Sequence, residues 1–112
     1  MSASRRAGAR FEQQVADYLA ANGFPYAERR HSNGAKDRGD IAGVPGWALE
    51  VKAERAMDLA GYMAEASVEA DHAGTRWFAA IVKRRRKPTA EAYVVLPLRL
   101  FAEMLREDGE RA

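Results

Sequence analysis

The sequence predicts an α/β domain, a mixed β-sheet flanked by helices in the order α-β-β-β-α-β-β-α. Three observations predict it. Residues 47–52 alternate, with Trp47, Leu49 and Val51 on one side and Ala48, Glu50 and Lys52 on the other, as in a half-buried strand. Residues 77–82 are almost continuously apolar, the mark of a strand covered on both faces and hence central. Between them lies a helical stretch long enough to serve as a crossover, which makes the two strands parallel and their connection right-handed.

At 112 residues the chain is long enough for one modest core, so residues 1–112 are expected to form a single domain. It is 47% apolar and 30% charged, an ordinary composition for a soluble globular protein. No apolar run approaches the length of a membrane span, and the first ten residues carry charge with no apolar segment behind them, unlike a secretory signal. There are no cysteines, which excludes a disulfide framework and thiolate zinc sites and fits a reducing cytoplasm. Net charge is only +2, yet Arg76 to Lys87 holds six basic residues and no acidic one, while Glu103 to Glu110 is acid-rich. That segregation points to a polyanion met at one surface.

In chain order, residues up to about Asn22 read as a helix. Phe11, Val15, Tyr18 and Leu19 form its apolar stripe, Glu12 lies at the stripe's edge, and Gly23 is placed to end it. Phe24 to Arg30 is expected to be the first strand, with Pro25 at its start or on an edge, carrying Glu28, Arg29, Arg30 and His31 toward a loop. Ser32 to Ala35 is turn chemistry. Asp40 then opens the short apolar step Ile41-Ala42, and Val44-Pro45-Gly46 turns the chain so that it doubles back as a hairpin with Asp40 beside Glu50. Asp37 is a rival to Asp40, but Asp40 abuts a strand and its position is fixed by sheet pairing.

The second helix is expected from an N-cap at Asp58 to Gly74, with Leu59, Met63, Ala66 and Ala70 as its buried stripe. Glu65 and Glu69 are placed on its solvated flank, with the alternative that Glu65 reaches a metal or a lysine. After the central strand, Lys83 to Pro88 is a basic loop, Ala92 to Leu96 a last strand, and Leu100, Phe101, Met104 and Leu105 the apolar face of a short final helix that frays past Glu107. His31 and His72 are too few and too far apart for a zinc site or a catalytic pair, and are expected at the surface or in capping roles.

The chemistry concentrates between Lys36 and Lys52. Two carboxylates, Asp40 and Glu50, held close in a partly desolvated sheet repel each other unless a cation compensates. Oxygen ligands suit magnesium, and the Lys52 ammonium on the same face as Glu50 would orient or activate a water and offset charge growing on a phosphate. The plainer alternative is a solvated salt bridge. The loop of Lys83, Arg84, Arg85, Arg86 and Lys87, tied between two core strands, is suited to clamp phosphates. If all six basic residues from Arg76 to Lys87 met phosphates, log affinity would fall with log salt at a slope of roughly −5.

Gly39-Asp40-Ile41 followed by Glu50-Val51-Lys52 resembles the signature of the PD-(D/E)XK nucleases, with glycine in place of the proline. Arg10-Phe11-Glu12, Arg38-Gly39-Asp40-Ile41, Leu49-Glu50-Val51-Lys52, Asp58-Leu59-Ala60-Gly61-Tyr62 with Glu65-Ala66 after it, and Lys83-Arg84-Arg85 before Tyr93-Val94 narrow the likeness to the small Holliday junction resolvases of phages and prophages, over nearly the whole chain. The resemblance implies a restriction-endonuclease-like fold, dependence on Mg2+ or Mn2+, and a homodimer in a bacterial or phage-infected cytoplasm that nicks two opposing strands of a four-way DNA junction. It also implies that Asp40 and Glu50 bind the metal, that Lys52 positions or activates the water, and that Glu12 assists as a further ligand or through a water. DNA contacts would come from Arg10, Arg30, Lys36, Arg38 and the basic loop. Two departures stand out. Many such resolvases carry a glutamine on the second helix, where this chain offers Glu65 or Ser67, and residues 53–57 hold no serine or threonine for a phosphate. The alternatives are another nicking or flap endonuclease on the same fold, and a non-catalytic DNA-binding module.

Overall fold

The computed structural model describes residues 2–31 and 36–111, leaving out the Arg111 side chain. The expected turn at Ser32 to Ala35 lies outside the described residues. The chain forms an α/β domain of three helices and two small sheets, in the expected order: α1 (Ala3–Ala21), β1 (Glu28–Arg29), β2 (Ile41–Ala42), β3 (Trp47–Lys52), α2 (Leu59–Ala73), β4 (Trp77–Val82), β5 (Tyr93–Val95) and α3 (Leu98–Arg111), with a 3-10 turn at Thr89–Glu91.

β4 is the middle strand of the larger sheet. β3 runs parallel to it, from Trp47 opposite Trp77 to Lys52 opposite Val82, and β5 runs antiparallel on its other side. Alternation along β3 and β4 divides the core in two. Leu49, Val51, Ala79 and Ile81 pack with Phe11, Val15 and Ala16 of α1 and with Ile41. Ala48, Phe78, Ala80 and Val82 face α2 through Tyr62, Ala66 and Ala70, and Leu100 of α3 joins them. A sheet buried on both faces needs apolar residues at both parities, which is why β4 has no polar side chain. The caps of α2 are those the sequence offers. The Asp58 carboxylate accepts the Gly61 N–H at 3.0 Å, and Gly74 closes the helix in the left-handed conformation that glycine adopts without strain.

Four expectations about elements need correction. β1 is two residues long, not seven, because Phe24 to Ala27 forms a turn closed by the Ala27 N–H on the Phe24 carbonyl. The chain leaving α1 must reverse at once, and Pro25 has no N–H to give a ladder. β2 pairs with β1 and not as a ladder with β3, to which Asp40 links it. Leu59, at 45% exposure, and Tyr18 lie outside the core stripes assigned to them. Finally, α3 is helical past Glu107, where fraying was expected, and Arg76 bonds Glu103 at 3.1 Å and Glu107 at 2.8 Å on its last turns. Only Leu100 of its apolar face is buried, whereas Phe101 and Leu105 are exposed. No helix among the described residues is long and apolar enough to cross a membrane.

Candidate active site

Asp40 is held at the free edge of β3 by two bonds of opposite sense. Its N–H donates to the Leu49 carbonyl at 2.8 Å, and its Oδ2 accepts the Val51 N–H at 2.7 Å. Gly39 allows this approach. Its φ is 102°, and a Cβ there would stand 3.1 Å from both the amide nitrogen and the carbonyl oxygen of Leu49, so a larger residue would be strained in its backbone and crowd the strand. Asp37 is occupied in the same turn, its Oδ1 accepting the Gly39 N–H at 2.9 Å. The His72 ring meets the Asp37 carbonyl at 2.8 Å and so ties this loop to the end of α2, a surface role.

Glu50 is only 5% exposed and comes within hydrogen-bonding reach of Asp40, as the expected hairpin required, although a side chain and one backbone bond bring them together where a ladder was expected. Two residues on, the Lys52 ammonium lies 3.8 Å from Glu50 Oε1 and 3.0 Å from Glu65 Oε2, above the Tyr62 ring. Glu65 thus takes its alternative role beside a lysine. Glu12 is carried by α1 to the same groove and accepts a bond from Arg29 Nε at 2.8 Å. The groove encloses about 690 Å³, and Glu12, Asp40, Glu50 and Lys52 line it together with Arg5, Arg55 and Arg85.

Glu69 corrects the sequence reading. Expected on a solvated flank, it is 4% exposed and within hydrogen-bonding reach of Glu50. The sequence offers only the spacing that puts Tyr62, Ala66, Glu69 and Ala70 on one helical face; that this face is the buried one is set by the packing of α2 on the sheet. Glu50 Oε2 and Glu69 Oε1 are buried and have no donor.

Charge in this cluster is strongly disfavoured. Burial, with a further contribution from Glu50, pushes the Asp40 carboxyl up to about 8 against the pull of the Val51 N–H. Burial and the neighbouring Glu69 push Glu50 up to about 8, and burial with the charges of Asp37, Asp40 and Glu65 pushes Glu69 up to about 7. Burial works to lower the Lys52 ammonium, but its bond to Glu65 and the charges around it outweigh that and leave it raised, so Lys52 is a cation. Of these packed carboxylates, Asp40 and Glu50 line the groove, and they are the oxygen donors that could hold a hard divalent cation.

The basic residues divide. Arg85 lines the groove itself, and Lys83, Arg85 and Arg86 share with Arg55 an adjoining hollow of about 420 Å³. Arg86 holds a positive φ of 61°, a conformation costing a non-glycine residue about 1–2 kcal/mol, at the tip of this turn. Arg84 and Lys87 lie in a third hollow, where the Arg84 guanidinium stacks on Tyr93 at 4.8 Å. Arg76 does not belong with them. It precedes β4 where the loop follows it, and it is paired to α3 and stacked on Trp77, so five of the six basic residues from Arg76 to Lys87 sit at this end of the sheet. Arg30 and Arg38 line a separate hollow of about 240 Å³, while Lys36 and Arg10 are exposed outside the groove. Arg5 and Arg55 are the cations the sequence reading missed. Arg55 stands in the stretch that lacks a serine or threonine, and its signal is its position just after the Glu50-Val51-Lys52 strand.

No protein-family model, no curated protein and no solved structure matches the chain.

Proposed function

We propose that this protein is a metal-dependent endonuclease of the PD-(D/E)XK kind that cuts branched DNA, four-way junctions in particular, acting as a homodimer on a restriction-endonuclease-like fold. The observation that carries the proposal is the convergence of Asp40, Glu50 and Lys52 in one groove whose other walls hold Arg5, Arg55 and Arg85. The fold assignment is supported by the element order and by the position of the Glu50-Val51-Lys52 strand, parallel to the central strand with a helix between them.

Asp40 and Glu50 would hold Mg2+ or Mn2+, and Glu12, already bonded to Arg29, would act from the α1 side, through a water. A bound divalent cation supplies positive charge for the phosphoryl group and eases loss of a proton from the attacking water. Lys52, a fixed ammonium between Glu50 and Glu65, donates to the water or to a phosphate oxygen as negative charge grows there. Arg55 and Arg85 steer the flanking phosphates, so that the water oxygen bonds to phosphorus as one P–O bond to sugar breaks, leaving a phosphate monoester and a hydroxyl.

The test is cleavage of a labelled immobile four-way junction by purified protein, with Mg2+ and with chelator, beside Asp40→Asn. Paired symmetric nicks that need both the metal and Asp40 are expected. Equal rates on plain duplex would remove the junction assignment and leave a general nicking enzyme. Salt-sensitive junction binding with no cleavage by the wild type would mean that the groove holds DNA without cutting it.

A further inference from the structure

Glu50 and Glu69 are the two charged residues buried among the described residues, and each keeps one oxygen with no donor. Glu50 is explained by the groove it lines. Glu69 is not, because it stands behind Glu50 on α2 and does not reach the groove. Its surroundings make it costly. Its Oε1 is buried with no donor, and the nearby ammonium, Lys52, is turned toward Glu65 at 3.0 Å. An apolar side chain in its place would pack against the sheet as Ala66 and Ala70 do, with no charge to desolvate. Held neutral, the carboxyl shares its proton with Glu50, and its charged form is favoured there once positive charge enters the cluster from outside.

We propose that Glu69 is a positioning residue of the cation site: it braces Glu50 from behind and adds a third negative charge, so that the groove binds a hard divalent cation more tightly than Asp40 and Glu50 would alone. This rests on reading the groove as a divalent-cation site. Partners that orient a ligating carboxylate typically govern metal affinity by about 10–100-fold.

The experiment is calorimetric titration of the full-length protein with Mn2+ alone, without DNA, for the wild type, Glu69→Gln, Glu69→Asp and Asp40→Asn, with thermal melting of each metal-free protein alongside. Glutamine fills the same volume and its amide is a donor for the neighbouring Glu50 carboxyl, so the fold is expected to be retained while the charge is lost. The expected result is a Mn2+ affinity about 10–100-fold weaker for Glu69→Gln, with part of the loss recovered in Glu69→Asp. If Glu69→Gln melts normally and binds Mn2+ like the wild type, Glu69 is only structural and the proposal is overturned, while the site stands. Should the glutamine variant not fold, Glu69→Asp decides: weaker Mn2+ binding at normal thermal stability supports the proposal, and unchanged binding overturns it. A wild type that binds no Mn2+, or binds it undiminished by Asp40→Asn, removes the cation site itself and the proposal with it.

Discussion

Lys52 lies between a buried carboxylate and a half-exposed one, and its two roles pull in opposite directions. Its charge offsets Glu50 at 3.8 Å, which in the proposed reaction would weaken the pull of the carboxylates on a metal while supplying what a developing phosphorane needs. Lys52→Met is therefore expected to lower single-turnover cleavage by about 100–1000-fold while tightening Mn2+ binding several-fold. A loss of both would mean that Lys52 organises the site through Glu65 and does not act on the phosphate. Lys52→Arg is not expected to rescue, because a planar fork cannot replace a compact ammonium held at 3.0 Å from Glu65. Asp40, Glu50 and Lys52 were legible because strand alternation is a rigid rule of two, so the face of one residue fixes the face of the next but one. Glu69 was not chosen because a helix offers a broad arc. Which flank of α2 lies over Asp40 depends on how the helix crosses the sheet, and that is set by Ala66 and Ala70 packing flush, a tertiary fact.

At the scale of elements, α2 and β4 were readable to the residue because their ends are chemical, an aspartate cap and a left-handed glycine for the helix and an unbroken apolar run for the strand. β1 was misread because two ladder residues carry no pattern of their own. They exist because β2 pairs with them. α3 was misread at its end because Arg76, distant in sequence, anchors its last turns. The same fact changes what the basic segment does. Arg85→Ala with Arg86→Ala is expected to reduce the slope of log affinity for junction DNA against log salt by about 2, from roughly 0.9 per phosphate contact. Arg76→Ala is expected to leave that slope unchanged and to loosen the end of α3, seen as faster hydrogen exchange past Glu103. Salt titration of the two variants separates the loop from the segment that contains it. Equal effects on the slope would mean that DNA also crosses the α3 side.

For the whole molecule, the acid cluster links protons to stability and, under the proposed function, to metal as well. Asp40 and Glu50, pushed to about 8, and Glu69, pushed to about 7, hold protons in the folded chain at a pH where the same groups in the unfolded chain, near 4, have lost them. Between those limits the native state binds more protons than the unfolded state, so stability falls as pH rises. The contribution of these groups is fully present below their unfolded values and is lost as pH climbs through 7 and 8. The metal-free protein is thus expected to melt at steadily lower temperature from pH 5 to pH 9. A divalent cation bound as proposed would replace those protons, and at a hundred times its dissociation constant it would add about 2.7 kcal/mol, or roughly 10 °C for a domain of this size. Because protons compete for the same oxygens, the gain should be large at pH 8 and nearly absent at pH 5. Asp40→Asn removes one of the titrating groups while its amide oxygen still accepts the Val51 N–H, so it is expected to melt higher than wild type at pH 8 without metal and to respond little when Mg2+ is added. Melting curves across pH, with Mg2+ and with chelator, measure all of this on one sample. A melting temperature flat from pH 5 to 9 and indifferent to Mg2+ would mean that the three carboxylates do not share a buried site, and the chemistry built on them would fall together.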